Sequence, residues 1–461
     1  MDINFLKSKS VHVIGINGIG MSALAIFLHN KNIKVTGSDI SVNNNTKILN
    51  KYGIKVIIGH KKENIINKDV IFYSSAIKNN PEVLHARKLK IPLFSRAKLL
   101  QIICKNKFLI AVSGSHGKTT TTSLLGHILD KKGLNPIIIS GGIMKNYGQN
   151  IHLTDSEFVV VEADESDGTV FNLRPNFLIY LNVDSEHLDY YKTLSNLENK
   201  VSSYIKKLNK NNTKIFLNGD DSFLNNINYK NVIKFGFHLT NKLIIKNLKL
   251  TDKNLKFDLI SKSYENINNV CSNLLGNHNA YNVAAVCCVL NELGINLKSR
   301  DLMSFQGVER RMNIIGSIRS SLFIDDYAHH PVEIDKLISV VKLFPQKNKF
   351  LIIEPHRYSR LNLLYNDYIR VLLSAPNLIV LETYSAGEFL KKNWKNSKNL
   401  VNDINITKNK KAMYVNSYEE LFNFFDENST KFKDNLFICA GAGTISKELK
   451  TYYESRKYRI K

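Results

Sequence analysis

The chain has 461 residues, of which 43% are hydrophobic and 23% charged, proportions of an ordinary folded protein that exclude disordered, collagenous and disulfide-scaffold classes. Lys and Arg number 64 against 40 Asp and Glu, a net charge of +24. The basic residues are mostly Lys, spread among Asn and Ile along the whole chain as codon drift produces, with no stripe of interleaved aromatics, so no nucleic-acid partner is expected.

In chain order, VHVIGI reads as a buried strand, Gly15, Gly18 and Gly20 as a tight turn, MSALAIFLHN as a helix, and IKVTGSD as a second strand ending in Asp39. This is a Rossmann-type first unit. The turn resembles GxGxxG with Asn17 in the middle position, and Asp39 has the spacing of an acid that meets a ribose hydroxyl, which fits NAD or another nucleotide diphosphate. Strands at VIFYSSA and IPLFS with a helix between them carry the alternation to about residue 104. A new apolar strand then runs into GSHGKTTTT, placing a domain start near Lys105, and PIIIS, FVVVEAD and NFLIYLNV continue a doubly wound parallel sheet. Residues 208 to 270 read as a small antiparallel insertion, and HNAYNVAAVCCVLNELG as the helix closing this domain. From Asn313, four strand ends (SLFIDDYAHH, KFLIIEPH, NLIVLETYS, NLFICAGAGTI) alternate with helices. The expected fold class is α/β in three domains: a Rossmann-like domain over 1–104, a central P-loop ATPase domain with a mostly parallel sheet over 105–311, and a Rossmann-like C-terminal domain over 312–461.

No apolar run reaches the roughly 18 to 20 residues of a membrane span, and the N-terminus lacks a signal-peptide core, so no membrane insertion and a cytoplasmic location are expected. Cys104, Cys271, Cys287, Cys288 and Cys439 are scattered, without CxxC spacing, and read as reduced thiols.

The chemistry concentrates at strand ends. Gly114, Ser115, His116, Gly117, Lys118, Thr119 and Thr120 follow a strand and open a helix. Bare amides and the positive helix end can cradle phosphates while Lys118 reaches the β/γ oxygens and Thr119 holds Mg²⁺. Val112 stands where the strict P-loop has Gly, making this a shortened GxxGKT form. Glu162, Asp164, Glu165 and Asp167 line the carboxyl edge of the sheet, with Glu162 the expected metal-facing carboxylate. Glu186, His187 and Asp189 end a third strand; hard cations prefer oxygen, so residue chemistry alone makes His187 structural. In the last domain Arg357 and Arg360 suit forked recognition of a carboxylate or phosphate.

Taken in order, GINGIGMS, SSAI with NPE, SRAKLL, GSHGKTTTT, EADESD, NVDSEHLD, GNHNAYN, FQGVERR, DDYAHHP, EPHRYSR, YSAGE and AGAGTI resemble the Mur ligase family over nearly the whole chain. Departures are Asn17 for a usual Gly, Ser115 for Thr, Glu186 for Asp and Leu275 for Pro. The resemblance implies that the protein uses ATP and Mg²⁺ to join L-alanine to the lactyl carboxylate of UDP-N-acetylmuramate through an acyl phosphate, as a monomer or dimer. A relative joining a tripeptide to the same UDP-sugar is the alternative. It further implies that Gly15, Gly18, Gly20, Met21, Ser22, Asp39 and Ser75 bind the UDP-sugar, and that Asn279, Asn282, Arg310 and Asp326 join the P-loop in binding ATP. Lys118, Glu162, His187 and Arg311 would be catalytic, with His187 a ligand of a second Mg²⁺ beside Thr119 and Glu162. His356, Arg357 and Arg360 would bind the amino acid on a C-terminal domain that closes. An NAD-linked dehydrogenase would leave GSHGKTTTT unexplained.

Overall fold

The computed structural model describes residues 2–457 apart from 75, 76, 78, 166, 167, 185–187, 409 and 410. The first sheet contains β1 Ser10–Ile14, β2 Lys34–Asp39, β3 Lys55–Ile58, β4 Val70–Tyr73 and β5 Leu93–Ser95, all paired parallel in the order β3-β2-β1-β4-β5. Strand order reverses between β1 and β4, and the Gly turn leaves β1 at that switch point, where α/β sheets place ligands.

The second sheet holds β6 Phe108–Ser113, β7 Ile137–Met144, β8 Gln149–His152, β9 Phe158–Glu162, β10 Phe177–Tyr180, β11 Lys214–Asn218, β12 Val232–Gly236, β13 Leu243–Leu250, β14 Leu255–Ser261 and β15 Ile267–Ser272. Their order is β15-β14-β13-β12-β11-β10-β6-β9-β7-β8. The P-loop strand β6 lies between β10 and β9, parallel to both, so Leu109–Ser113 are covered on both faces. The expected antiparallel insertion over 208–270 is corrected in its first part: β10, β11, β12 and β13 pair in parallel and extend the main sheet. The crossover between β11 and β12 contains only a short 3₁₀ turn, Leu224–Asn226, too little helix to announce a βαβ unit in the sequence.

The third sheet comprises β16 Asn313–Ile318, β17 Ser321–Asp326, β18 Asn348–Glu354, β19 Leu378–Leu381, β20 Met413–Val415 and β21 Asn435–Gly441, in the order β16-β17-β21-β18-β19-β20. Only the edge pair β16–β17 is antiparallel. Alternation splits its side chains between two cores: Leu351 and Ile353 join one, Ile352 and Phe437 the other, as a sheet covered by helices on both faces requires.

Two compact units emerge, one of residues 1–247, 257–270 and 280–306, the other of 248–256, 271–279 and 307–461. In the first, a continuous apolar core runs from Leu24 and Phe27 to Leu178 and Tyr204, joining the first two sheets. Asn often takes the left-handed position after a helix: Asn32 and Asn212 have φ of 60° and 58° just beyond helices Ile19–Asn30 and Leu194–Lys210, a conformation Asn tolerates better than other side chains. Cys104, Cys287, Cys288 and Cys439 are buried free thiols and Cys271 is half-buried. No described helix is long and apolar enough to cross a membrane.

Candidate active site

Strand β6 delivers Gly114–Gly117 to the N-terminus of helix Lys118–Lys131. Gly114 and Gly117 have φ of 128° and 85°. A Cβ on Gly114 would lie 3.0 Å from the Leu181 and Asn182 amides, and one on Gly117 2.7 Å from Asn282 Oδ1, so both positions need glycine for space as well as conformation. Lys118, 8% exposed, donates from Nζ to the Gly114 and Ser115 carbonyls at 2.6 and 3.1 Å and lies 3.4 Å from Glu165 and 3.6 Å from Asp164. Thr119 Oγ1 donates to Glu162 Oε1 at 3.0 Å, while Gly141 N donates to Oε2 at 2.5 Å. Burial raises the Glu162 pKa and the Lys118 ammonium opposes the rise. Thr120 is buried behind the loop.

Asn182 was not singled out by sequence reasoning. Its Oδ1 accepts from His116 N at 2.7 Å, its Nδ2 donates to His116 O at 3.1 Å and its carbonyl accepts from Ser115 N at 3.1 Å. Beside it the Asp184 carboxylate sits 3.2 Å from His116 Nε2, and the Asp184 amide donates to the loop's Ser115 Oγ at 2.9 Å. These residues hold the loop open from the end of β10; the one signal for them was that β10 is a neighbouring strand end. His187, Glu186 and Asp167 lie outside the described residues.

At the first sheet, Gly15 takes φ 77°, and a Cβ there would lie 3.0 Å from Ser74 Cβ. Gly18 caps helix Ile19–Asn30, in whose first turn Met21 and Ser22 are buried. A Cβ on Gly20 would lie 2.7 Å from Arg96 Nε, so the guanidinium of SRAKLL packs against the turn, a role the sequence reading did not assign. Asn17 explains its departure from glycine: its φ is not positive, its Nδ2 donates to Ser41 O at 2.7 Å and its amide donates to Asp39 Oδ2 at 2.8 Å. Asp39 thus ties down the turn, its Oδ1 accepting from Ile40 N at 2.8 Å. Ser75 lies outside the described residues.

The second unit gathers the C-terminal residues. Arg310 and Arg311 lie over the Tyr327 ring at 4.7 and 5.3 Å. Arg311 pairs with Glu333 at 3.3 Å, and Arg310 donates to Gly441 O at 2.6 Å. Asp326 accepts from the Met312 and Ala328 amides at 2.7 and 2.8 Å; burial pushes its pKa up to about 6 against the pull of Arg311. Asn279 Nδ2 donates to Leu275 O at 2.6 Å at the start of helix His278–Glu292. At the end of β18, Arg360 Nη1 donates to His356 Nδ1 at 3.4 Å, and the His356 ring meets His329 and Tyr384 at 5.7 and 5.4 Å. Burial lowers the pKa of His356 to about 3, with His329, Arg360 and Arg357 adding to the shift; burial also lowers His329 to about 4, against the pull of Glu333. Both rings are neutral at pH 7. Arg357 has φ 70° and ψ 131°, a region nearly reserved for glycine and costing about 1–3 kcal/mol. Its amide is pinned to Tyr384 O at 2.8 Å, and Glu388 accepts from Ser359 N and Oγ at 2.9 and 2.6 Å. Glu333 and Glu388 were missed as supports, although HHPVE and YSAGE carry them.

Residues 10–108 match the model described as Mur ligase family, catalytic domain, and residues 112–290 that of the Mur ligase middle domain. A UDP-N-acetylmuramate–L-alanine ligase of Aquifex aeolicus is 37% identical over 448 residues, 96% of each chain. One of Rickettsia bellii is 39% identical over 395 residues, covering 82% of this chain and 83% of the other. The crystal structure of UDP-N-acetylmuramate-alanine ligase MurC from Thermotoga maritima superposes with a TM-score of 0.83 at 26% identity, covering 98% of this chain and 100% of that one. A murein peptide ligase from Psychrobacter arcticus shares the fold, with a TM-score of 0.68 at 18% identity over 97% and 98% of the two chains. The ordered strand-end motifs, the P-loop geometry and full-length identity above one third together show that this chain belongs to the Mur ligase family.

Proposed function

We propose that the protein uses ATP to join L-alanine to the lactyl carboxylate of UDP-N-acetylmuramate, giving UDP-N-acetylmuramoyl-L-alanine, ADP and phosphate for peptidoglycan precursor synthesis in the cytoplasm. The observation that carries this reading is the 37% identity over 96% of both chains with a relative named for that reaction. Residues 1–104 would bind the UDP-sugar, 105–311 ATP and 312–461 the amino acid.

A carboxylate is a poor electrophile because its oxygens share the charge. Attack of one oxygen on the γ-phosphorus of ATP releases ADP and forms an acyl phosphate. The neutral amine of alanine then attacks the carbonyl carbon, phosphate departs and the nitrogen gives up a proton. Catalysis here is chiefly positioning and charge neutralisation. Lys118 and the Gly114–Gly117 amides meet the phosphates, with Asn279, Asn282, Arg310 and Asp326 as further nucleotide contacts and Arg311 as a countercharge. The Thr119 and Glu162 oxygens, 3.0 Å apart, fit a hard cation; Mg²⁺ held there would neutralise phosphate charge. Arg357 and Arg360 would take the carboxylate of alanine, and neutral His329 and His356 add no competing charge beside its amine.

Glu162→Ala should raise the Mg²⁺ concentration for half-maximal rate about tenfold, with partial recovery at high Mg²⁺. A metal titration of the steady-state rate checks this, and an unchanged midpoint would remove Glu162 from the metal site. Product mass after incubation with UDP-N-acetylmuramate, ATP and either L-alanine or a tripeptide tests the function itself. Exclusive tripeptide ligation would make the protein a murein-peptide ligase.

A further inference from the structure

The NPE motif, Asn80–Glu82, opens helix Pro81–Lys88, with Asn80 capping the amides of Glu82 and Val83. Glu82 is fully buried, and its carboxylate meets three donors from three different segments. Ser38 Oγ donates to Oε2 at 2.6 Å, His60 Nδ1 lies 3.1 Å from the same oxygen, and Asn64 Nδ2 donates to Oε1 at 2.5 Å. Asn64 also donates to Gly59 O at 3.0 Å, so the turn after β3 is held from both sides. His12 closes the cluster from β1, its Nε2 3.4 Å from Ser38 Oγ and its Nδ1 2.9 Å from Thr36 Oγ1.

A buried carboxylate is costly unless its oxygens are satisfied, and a hydrophobic residue would fill the same space without that cost. What the carboxylate adds is a fixed position for Ser38. The Ser38 carbonyl accepts the amides of Gly15 and Ile16 at 2.8 and 3.1 Å, and the adjoining Asp39 carboxylate accepts that of Asn17 at 2.8 Å. The chain of bonds runs from Glu82 through Ser38 to the Gly15–Asn17 turn.

We propose that Glu82 is a positioning residue for the UDP-sugar, acting through Ser38 to set the turn that receives the diphosphate. This rests on the reading of that turn as the UDP-sugar site. The three groups around Glu82 all present hydrogens to it, so Glu82→Gln turns one acceptor into a donor facing a donor while keeping the shape. The expected result is a KM for the UDP-sugar raised about tenfold, with kcat and the KM values for ATP and L-alanine within about twofold of the parent. Asn64→Ala, which removes a donor on the far side of the carboxylate, should move the same constant in the same direction by about threefold and serves if Glu82→Gln does not fold. Gly15→Val, which strikes the turn directly, separates this proposal from the reading beneath it. If Gly15→Val raises the UDP-sugar KM while the Glu82 and Asn64 variants leave it unchanged, or if those variants weaken all three substrates alike, Glu82 is a structural residue only and the proposal is overturned. If Gly15→Val leaves the UDP-sugar KM untouched, the turn is not the diphosphate site and the reading falls with it.

Discussion

Lys118→Ala is expected to lower the rate of ligation by about a thousandfold or more while leaving affinity for the UDP-sugar within about twofold. The size of the effect comes from what surrounds the ammonium. Lys118 is the cation beside Asp164 and the almost fully buried Glu165; without it, two carboxylates face an incoming triphosphate across the loop. The loss is therefore a stabilising charge replaced by repulsion, and it falls on both nucleotide binding and phosphoryl transfer. The Gly15–Gly20 turn follows a strand of a different sheet. Single-turnover kinetics with saturating ATP and calorimetric titration with UDP-N-acetylmuramate measure the two quantities separately. Loss of sugar affinity together with rate would contradict the assignment of two separate sites.

Replacing Arg357 or Arg360 by Ala should raise the KM for L-alanine about tenfold to a hundredfold, the range of a lost charge-assisted bond, with the KM for ATP little changed. Lys at either position keeps the charge but loses the planar fork and should restore little. The two arginines differ in a way that gives each its own control. Arg360 also donates to His356, so its loss frees that imidazole and should lower kcat as well. Arg357 occupies a backbone region suited to glycine, so Arg357→Gly should lose alanine affinity as Arg357→Ala does yet unfold at higher denaturant concentration than the Ala variant. Steady-state kinetics with each substrate varied in turn, alongside urea melts, provide the readout. A rise confined to the KM for ATP would remove both residues from the amino-acid site.

The elements legible in the sequence were those whose signal is local. The Gly turn after β1 and the P-loop after β6 announce themselves within about ten residues because glycine, lysine and threonine are needed at fixed spacing on one strand-to-helix junction. Contacts made across the sheet were not legible. Asn182 holds His116 from 66 positions away, and nothing near Asn182 distinguishes it from the many other asparagines of this chain. Asp39 shows an intermediate case: its spacing located it beside the turn, but that its carboxylate bonds the amides of Asn17 and Ile40 follows only from the backbone path. The parallel β11–β12 pairing was hidden because the crossover lacks a full helix. Glu82 and Glu388 were quoted inside motifs without a role, since a buried acid and a solvated one look the same in one dimension.

The asparagines with left-handed backbone bear on which positions of this fold tolerate that residue. Among the described non-glycine residues with positive φ, eight of the sixteen are asparagines: Asn32, Asn67, Asn79, Asn106, Asn135 and Asn212 outside helices and strands, and Asn247 and Asn269 within β13 and β15. In helix or strand interiors extra asparagine is destabilising, because its side chain competes for backbone hydrogen bonds. At a left-handed residue that liability disappears, since the short amide tolerates the conformation nearly as well as glycine does. An asparagine at such a position therefore costs the fold little, whereas one placed inside a helix costs it a competing hydrogen bond.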